Sequence, residues 1–295
     1  MTPTLVRHQP AADGSAPADA GTRARDWAEI QERMLAPLYE AVYDRMEVGA
    51  ATRMLSLGCG SGLAMLVAAA RGAHVTGVDS DRERLALARA RLLPEAGWDD
   101  APAHSAHPAR RRARLLEDGL PAPADADGAP YDLITVFEPI GCAAGDSEGL
   151  VPALRSAVPL AVRGASVVLT GWGPPERCAT AAVLRVAARL AESARPPRTD
   201  PDRWRPTLRD DLEDVAARAG LKPDGSGREV SCPFGYADVN SAVRGLLSTG
   251  LFDAAVRATD RSQVEKEVAE ALHPHRRQDG TVWMPNVFRY LVCLT

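Results

Sequence analysis

Gly58, Gly60 and Gly62 alternate with Cys59 and Ser61 directly after the apolar run Arg53-Met54-Leu55-Ser56-Leu57. Glycine at such positions lets the main chain turn with positive φ and lets a ligand lie against bare backbone. Leu63 to Ala70 then reads as a helix, whose first N–H groups face the same ligand. About 17 residues after Gly62, a second apolar strand ends on Asp79, where a carboxylate can accept two ribose hydroxyls. The pattern predicts a nucleotide cradle made of Gly58, Cys59, Gly60, Ser61, Gly62, Asp79 and Ser80. A competing use of Asp79 is to cap the helix that opens at Asp81, although Ser80 suits that cap better. Cys59 reads as a small turn residue rather than a nucleophile.

Further carboxylates lie where strands end. Arg114-Leu115-Leu116-Glu117 reads as a short buried strand, and Asp118-Gly119 turns away from it toward the ligand edge. Tyr131 to Phe137 reads as the next strand, followed by Glu138-Pro139-Ile140. Glu138 is the candidate catalytic group, stabilising positive charge or taking a proton from an acceptor; the alternative is a carboxylate that caps the next turn. His104 and His107 stand three apart without partner ligands, so no metal site is expected.

The spacing Gly-x-Gly-x-Gly resembles the first motif of class I S-adenosylmethionine (SAM) dependent methyltransferases, whereas dinucleotide sites use Gly-x-Gly-x-x-Gly. Val75-Thr76-Gly77-Val78-Asp79-Ser80 resembles that family's second strand and acidic tip, and Tyr131 to Phe137 its fourth strand. The resemblance covers residues 51 to 172 well and the C-terminal strands in outline. It implies that the glycine turn holds the methionine part of SAM, Asp79 the ribose, and Asp118 or Glu117 the adenine edge, with Gly119 and Phe137 beside them. One departure is Ser56, since the family usually carries an acid two residues before the first glycine. The implied reaction is in-line methyl transfer to oxygen or nitrogen of a small-molecule acceptor, in secondary metabolism. Two alternatives stay open: a SAM-binding protein with a non-methyl-transfer activity or a binding role, and a peptide or protein methyltransferase.

The elements that position these residues follow from periodicity. Residues 1–22 mix Ala, Pro, Gly and Asp without period and read as a disordered tail. Residues 23–50 read as a helical cover with Trp27, Ile30, Met34, Leu38, Val42 and Met46 at helical spacing. Residues 51–237 form the SAM-binding core, 238–279 a helical insertion or lid, and 280–295 a closing strand or hairpin. The expected fold is α/β and Rossmann-like: a seven-stranded, mostly parallel sheet with an antiparallel last strand, N-terminal helices, and a helical insertion before that strand. Trp27, Tyr39, Trp172 and Tyr236 are the candidate substrate contacts, each of which can equally be a core residue.

Composition narrows the class. The 295 residues are 45% hydrophobic and carry 35 basic against 39 acidic side chains, a net charge of −4, which gives no footprint for nucleic acid. Five widely spaced cysteines without a C-x-x-C pair suggest neither disulfides nor zinc. No apolar stretch is long enough to span a bilayer, and no leader is evident, so the expectation is a cytoplasmic monomer or homodimer without membrane partners. Heavy use of Ala, Arg, Pro and Gly fits a GC-rich bacterial genome.

Overall fold

The computed structural model describes residues 17–93, 112–121, 130–142, 146–193 and 210–295. The tail before residue 17 and the histidines at 104 and 107 lie outside the described residues. The apolar runs form strands β1 (Arg53–Leu57), β2 (His74–Asp79), β3 (Ala113–Glu117), β4 (Tyr131–Ile140), β5 (Ala161–Trp172), β6 (Lys222–Pro223), β7 (Arg228–Ser231), β8 (Phe234–Tyr236), β9 (Val282–Met284) and β10 (Val287–Leu294). Eight of them make one sheet, ordered β3-β2-β1-β4-β5-β10-β6, with β7 also on β10. The first five run parallel, and β10 is antiparallel to β5, β6 and β7.

The expected seven-stranded plan is present with its sixth position split into β6 and β7. Two details differ. Strand β9 leaves the main sheet and pairs with β8 in a separate two-stranded sheet, so only β10 closes the core. Strand β3 is half-buried rather than buried, because it is an edge strand with a neighbour on one side only.

Helices bridge the parallel strands, as their crossover connections require. Helices α3 (Leu63–Ala70) and α4 (Arg82–Leu92) carry the chain from β1 to β2 and away from β2, while α5 (Leu150–Ala157) links β4 to β5. Chain direction across the sheet reverses between β1 and β4, and open α/β sheets place ligands outside the carboxyl ends of the strands at such a switch point. Register aligns the tips there: Leu57 pairs Val78, and Asp79 pairs Glu117. Alternating side chains feed two cores, Met54 joining one and Leu55 the other, and α5 together with α7 (Asp210–Ala219) covers the second face.

Helical structure begins at Pro17, inside the segment expected as tail. Helix α1 (Pro17–Asp26) leads into a π turn (Trp27–Gln31), a 3-10 turn (Glu32–Leu35) and α2 (Ala36–Arg45). Helices α6 (Thr180–Ser193), α8 (Val239–Ser248), α9 (Asp253–Ala258) and α10 (Arg261–Ala271) complete the layer, the last three lying in the expected insertion. The N-terminal and inserted helices are tied by Arg23 to Asp253 at 2.9 Å and by Arg244 to Asp26, and β8 is tied to the π turn by Tyr236 Oη donating to Gln31 Oε1 at 2.9 Å. Among the described residues no helix is long and apolar enough to cross a membrane.

Candidate functional site

The glycine turn hangs from the tip of β2, as the N–H groups of Gly58 and Cys59 both donate to the Val78 carbonyl, at 2.9 and 3.1 Å. Its glycines serve different ends. Gly60 has φ +57, and a Cβ there would stand 3.3 Å from Glu32 Oε1 and 3.5 Å from Trp27 Nε1. Gly62 has φ +81, and a Cβ would press at 3.0 Å on the Ala88 methyl, so this glycine lets α3 start close against α4. Gly58 faces the Glu138 carboxylate, 3.5 Å from where its Cβ would be.

Asp79 organises the turn from below. One carboxylate oxygen accepts the Gly60 N–H at 2.7 Å and the other the Asp81 N–H at 2.8 Å. Burial pushes its pKa up to about 6, and the nearby Glu138 carboxylate adds to the rise. Asp118 adopts φ +54 and approaches Asp79 through its own N–H, 3.4 Å from the Asp79 carbonyl. It stays exposed beside Gly119, whereas Glu117 is committed to ion pairs with Arg82 and Arg89. The helix after β2 is capped by Asp81, whose carboxylate accepts from Glu83 and Arg84, and not by Ser80, because Asp81 holds the extended backbone of an N-cap.

Glu138 lies within β4 and not after it, since the strand runs on to Ile140. Its Oε1 stands 3.5 Å from Arg84. The Arg84 guanidinium is buried; it also pairs with Asp81 at 3.3 Å, donates to the Ser248 carbonyl at 3.3 Å, and lies over the Trp27 ring at 4.4 Å. One cation thus joins β4, α4, the inserted α8 and the N-terminal segment at the carboxyl edge.

Glu32, Arg84 and Arg91 escaped the sequence reading. Glu32 is buried and accepts from Ser61 Oγ, from Arg91 at 2.8 Å and, at 3.4 Å, from the Leu63 N–H. Arg91 also donates to the Ser61 carbonyl at 2.8 Å. The available signal was a glutamate in phase with Ala28, Leu35, Tyr39 and Val42 on the apolar stripe, all buried.

The other candidates sort by packing. Trp27 is buried against the turn, and Tyr39 is buried edge-on to Phe137 at 4.8 Å. Burial, followed by the fields of Glu32, Tyr43 and Glu138, holds the Tyr39 hydroxyl well above its ordinary pKa, so it stays protonated. Trp172 packs into an aromatic core with Phe288 at 4.6 Å and Phe234 at 6.0 Å. Tyr236 is buried and held by Gln31. Cys59 is buried against Gly77, and burial raises its thiol pKa, which disfavours the thiolate. Among the described residues no group of three or more His, Cys, Asp or Glu is placed to hold a metal.

Comparison with known proteins agrees with this geometry. A methyltransferase domain family model matches residues 55–106. Proteins Rv1403c of Mycobacterium tuberculosis and Mb1438c of Mycobacterium bovis are each 36% identical over 107 residues, 35% of this chain and 38% of theirs. The aligned region thus spans about 38% of the length of these curated relatives. YcgJ of Bacillus subtilis has a similar fold, with TM-score 0.50 and 15% identity over 87% of this chain and 97% of that one. YjhP of Escherichia coli likewise gives TM-score 0.50 and 15% identity, over 92% and 98% of the two chains. Residues 55–106 thus match a methyltransferase domain family model, and the chain shares its Rossmann-like α/β fold with YcgJ and YjhP.

Proposed function

We propose that the protein is a SAM-dependent methyltransferase acting on oxygen or nitrogen of a small molecule. The observation that carries this reading is the cradle itself. Three positive-φ glycines sit at the sheet's switch point, with the Asp79 carboxylate bonded to the middle one and Glu138 facing the first. The residues fit the group, because a side chain at Gly60 would fill the space and the buried Trp27 Nε1 beside it has no partner among the described residues.

In this reading Asp79 takes the ribose, Asp118 beside Gly119 the adenine edge, and the main chain of Gly58 to Gly62 and Ser80, with Phe137, frames the cofactor. SAM supplies a methyl group already activated on a sulfonium, so the protein's share is positioning, exclusion of water and, where the acceptor arrives protonated, removal of a proton. Glu138 is the group for that proton, and its carboxylate also favours positive charge at the edge. Support for a small acceptor comes from the cover over the edge: α1 is held to α8 through Asp26–Arg244, and the π turn to β8 through Gln31–Tyr236. A long peptide would need an open groove there. Incubation with candidate acceptors and labelled SAM tests the proposal: methylated product with stoichiometric S-adenosylhomocysteine is expected, and cofactor binding without transfer to any acceptor class would count against it.

A further inference from the structure

We infer that Trp27 and Glu32, both ahead of the sheet, receive the amino-acid end of the cofactor: Trp27 Nε1–H donates to its carboxylate and Glu32 Oε1 accepts from its ammonium. The inference rests on the proposed SAM site and adds residues from outside the glycine motif. Three observations carry it.

The first is an unanswered donor. Trp27 is buried, its Nε1 is shielded from water, and among the described residues it has no hydrogen-bond partner. A buried N–H left unpaired costs about 1–3 kcal/mol, so an acceptor from a ligand is the natural complement. The second is spare capacity on the carboxylate beside it. Glu32 Oε2 is taken by Ser61 and Arg91, while among the described residues Oε1 has only the 3.4 Å contact with the Leu63 N–H. Donor and acceptor meet at one glycine, 3.5 and 3.3 Å from the point a Gly60 Cβ would occupy. An α-carboxylate with its α-ammonium offers that pair of charges. A pyrophosphate would instead face a buried carboxylate and be repelled.

The third is the backbone. Residues five apart on a regular α-helix diverge by about 140° and could not converge on one ligand. Here the Glu32 N–H donates to the Trp27 carbonyl, an i to i+5 bond that widens the turn and brings both residues to one side. Such single π turns are frequent at functional sites.

Calorimetry with two ligands tests this: S-adenosylhomocysteine, and 5′-methylthioadenosine, which keeps the nucleoside and sulfur but lacks the amino-acid carbons. Trp27→Phe and Glu32→Gln should each weaken the first by about 10-fold and leave the second within about 2-fold. The methylthioadenosine affinity doubles as the control for folding. Equal weakening of both ligands, or no change in their ratio, would overturn the inference while leaving the SAM site standing. Failure of the unmodified protein to bind either ligand would instead remove the proposed function, and the inference with it.

Discussion

At the scale of single residues, Asp79 is both a strut and a candidate ligand group. Its carboxylate holds the Gly60 and Asp81 N–H groups, yet burial and Glu138 raise its pKa from 3.8 to about 6. The raised value means that the fold favours the protonated acid: that contribution to stability is full below about pH 4 and is lost as pH rises through 6. Cofactor binding runs the other way, because ribose hydroxyls donate to the ionised form. Affinity for S-adenosylhomocysteine is therefore expected to climb between pH 5 and 7, and in Asp79→Asn the climb should vanish with about a 10-fold loss at neutral pH. Titration calorimetry across that range checks both. Glu138→Gln is expected to lower turnover by about 100-fold with less than about 3-fold change in cofactor affinity. Equal losses in kcat and affinity would make Glu138 a part of the cradle instead. The glycines and Asp79 were legible from spacing, since each lies next to a strand end that the apolar pattern marks, whereas Glu138 was expected after β4 and lies within it. Glu32 was not, because a carboxylate on an apolar helix face acquires meaning only once Ser61 and Arg91 are placed against it.

At the scale of elements, the third glycine is where α3 and α4 meet. Gly62→Ala would force an alanine into φ +81 and set its methyl 3.0 Å from Ala88 and 3.1 Å from Leu92. Left-handed strain and overpacking together should cost about 2–4 kcal/mol, read as a lower urea midpoint with an unchanged slope. Strands were readable from apolar runs, and the cap at Asp81 was missed by one residue. The reason is local: Ser, Asp and Asp all lie near that helix start, and only the backbone conformation selects which oxygen reaches the free N–H groups. The assignment of β9 missed for a different reason, as strand partners are chosen by tertiary packing and β8 was the available edge.

At the scale of the whole molecule, the carboxyl edge is closed by segments from both ends of the chain. Gln31 and Tyr236 meet over about 200 residues of sequence and are both buried. Tyr236→Phe would leave the Gln31 carbonyl oxygen unpaired and should destabilise by about 1–3 kcal/mol. Hydrogen exchange should then quicken in residues 17–45 and 239–248 ahead of the sheet, because the change unlocks the cover first. Uniform acceleration across β1, β4 and β5 would show instead that cover and core open as one unit.

The residue pattern by itself determined the alternation of strands and helices, the glycine turn and its acid, because these depend on short-range spacing: a period of two for strands, a turn that only glycine tolerates, and an acid at a strand end. Tertiary structure alone decided what faces that turn. Trp27, Glu32 and Arg91 reach it, and Arg84 lies over Trp27, from helices whose sequences read as ordinary amphipathic segments. Their convergence comes from a π turn and from packing across the sheet's edge, and neither leaves a trace in local spacing.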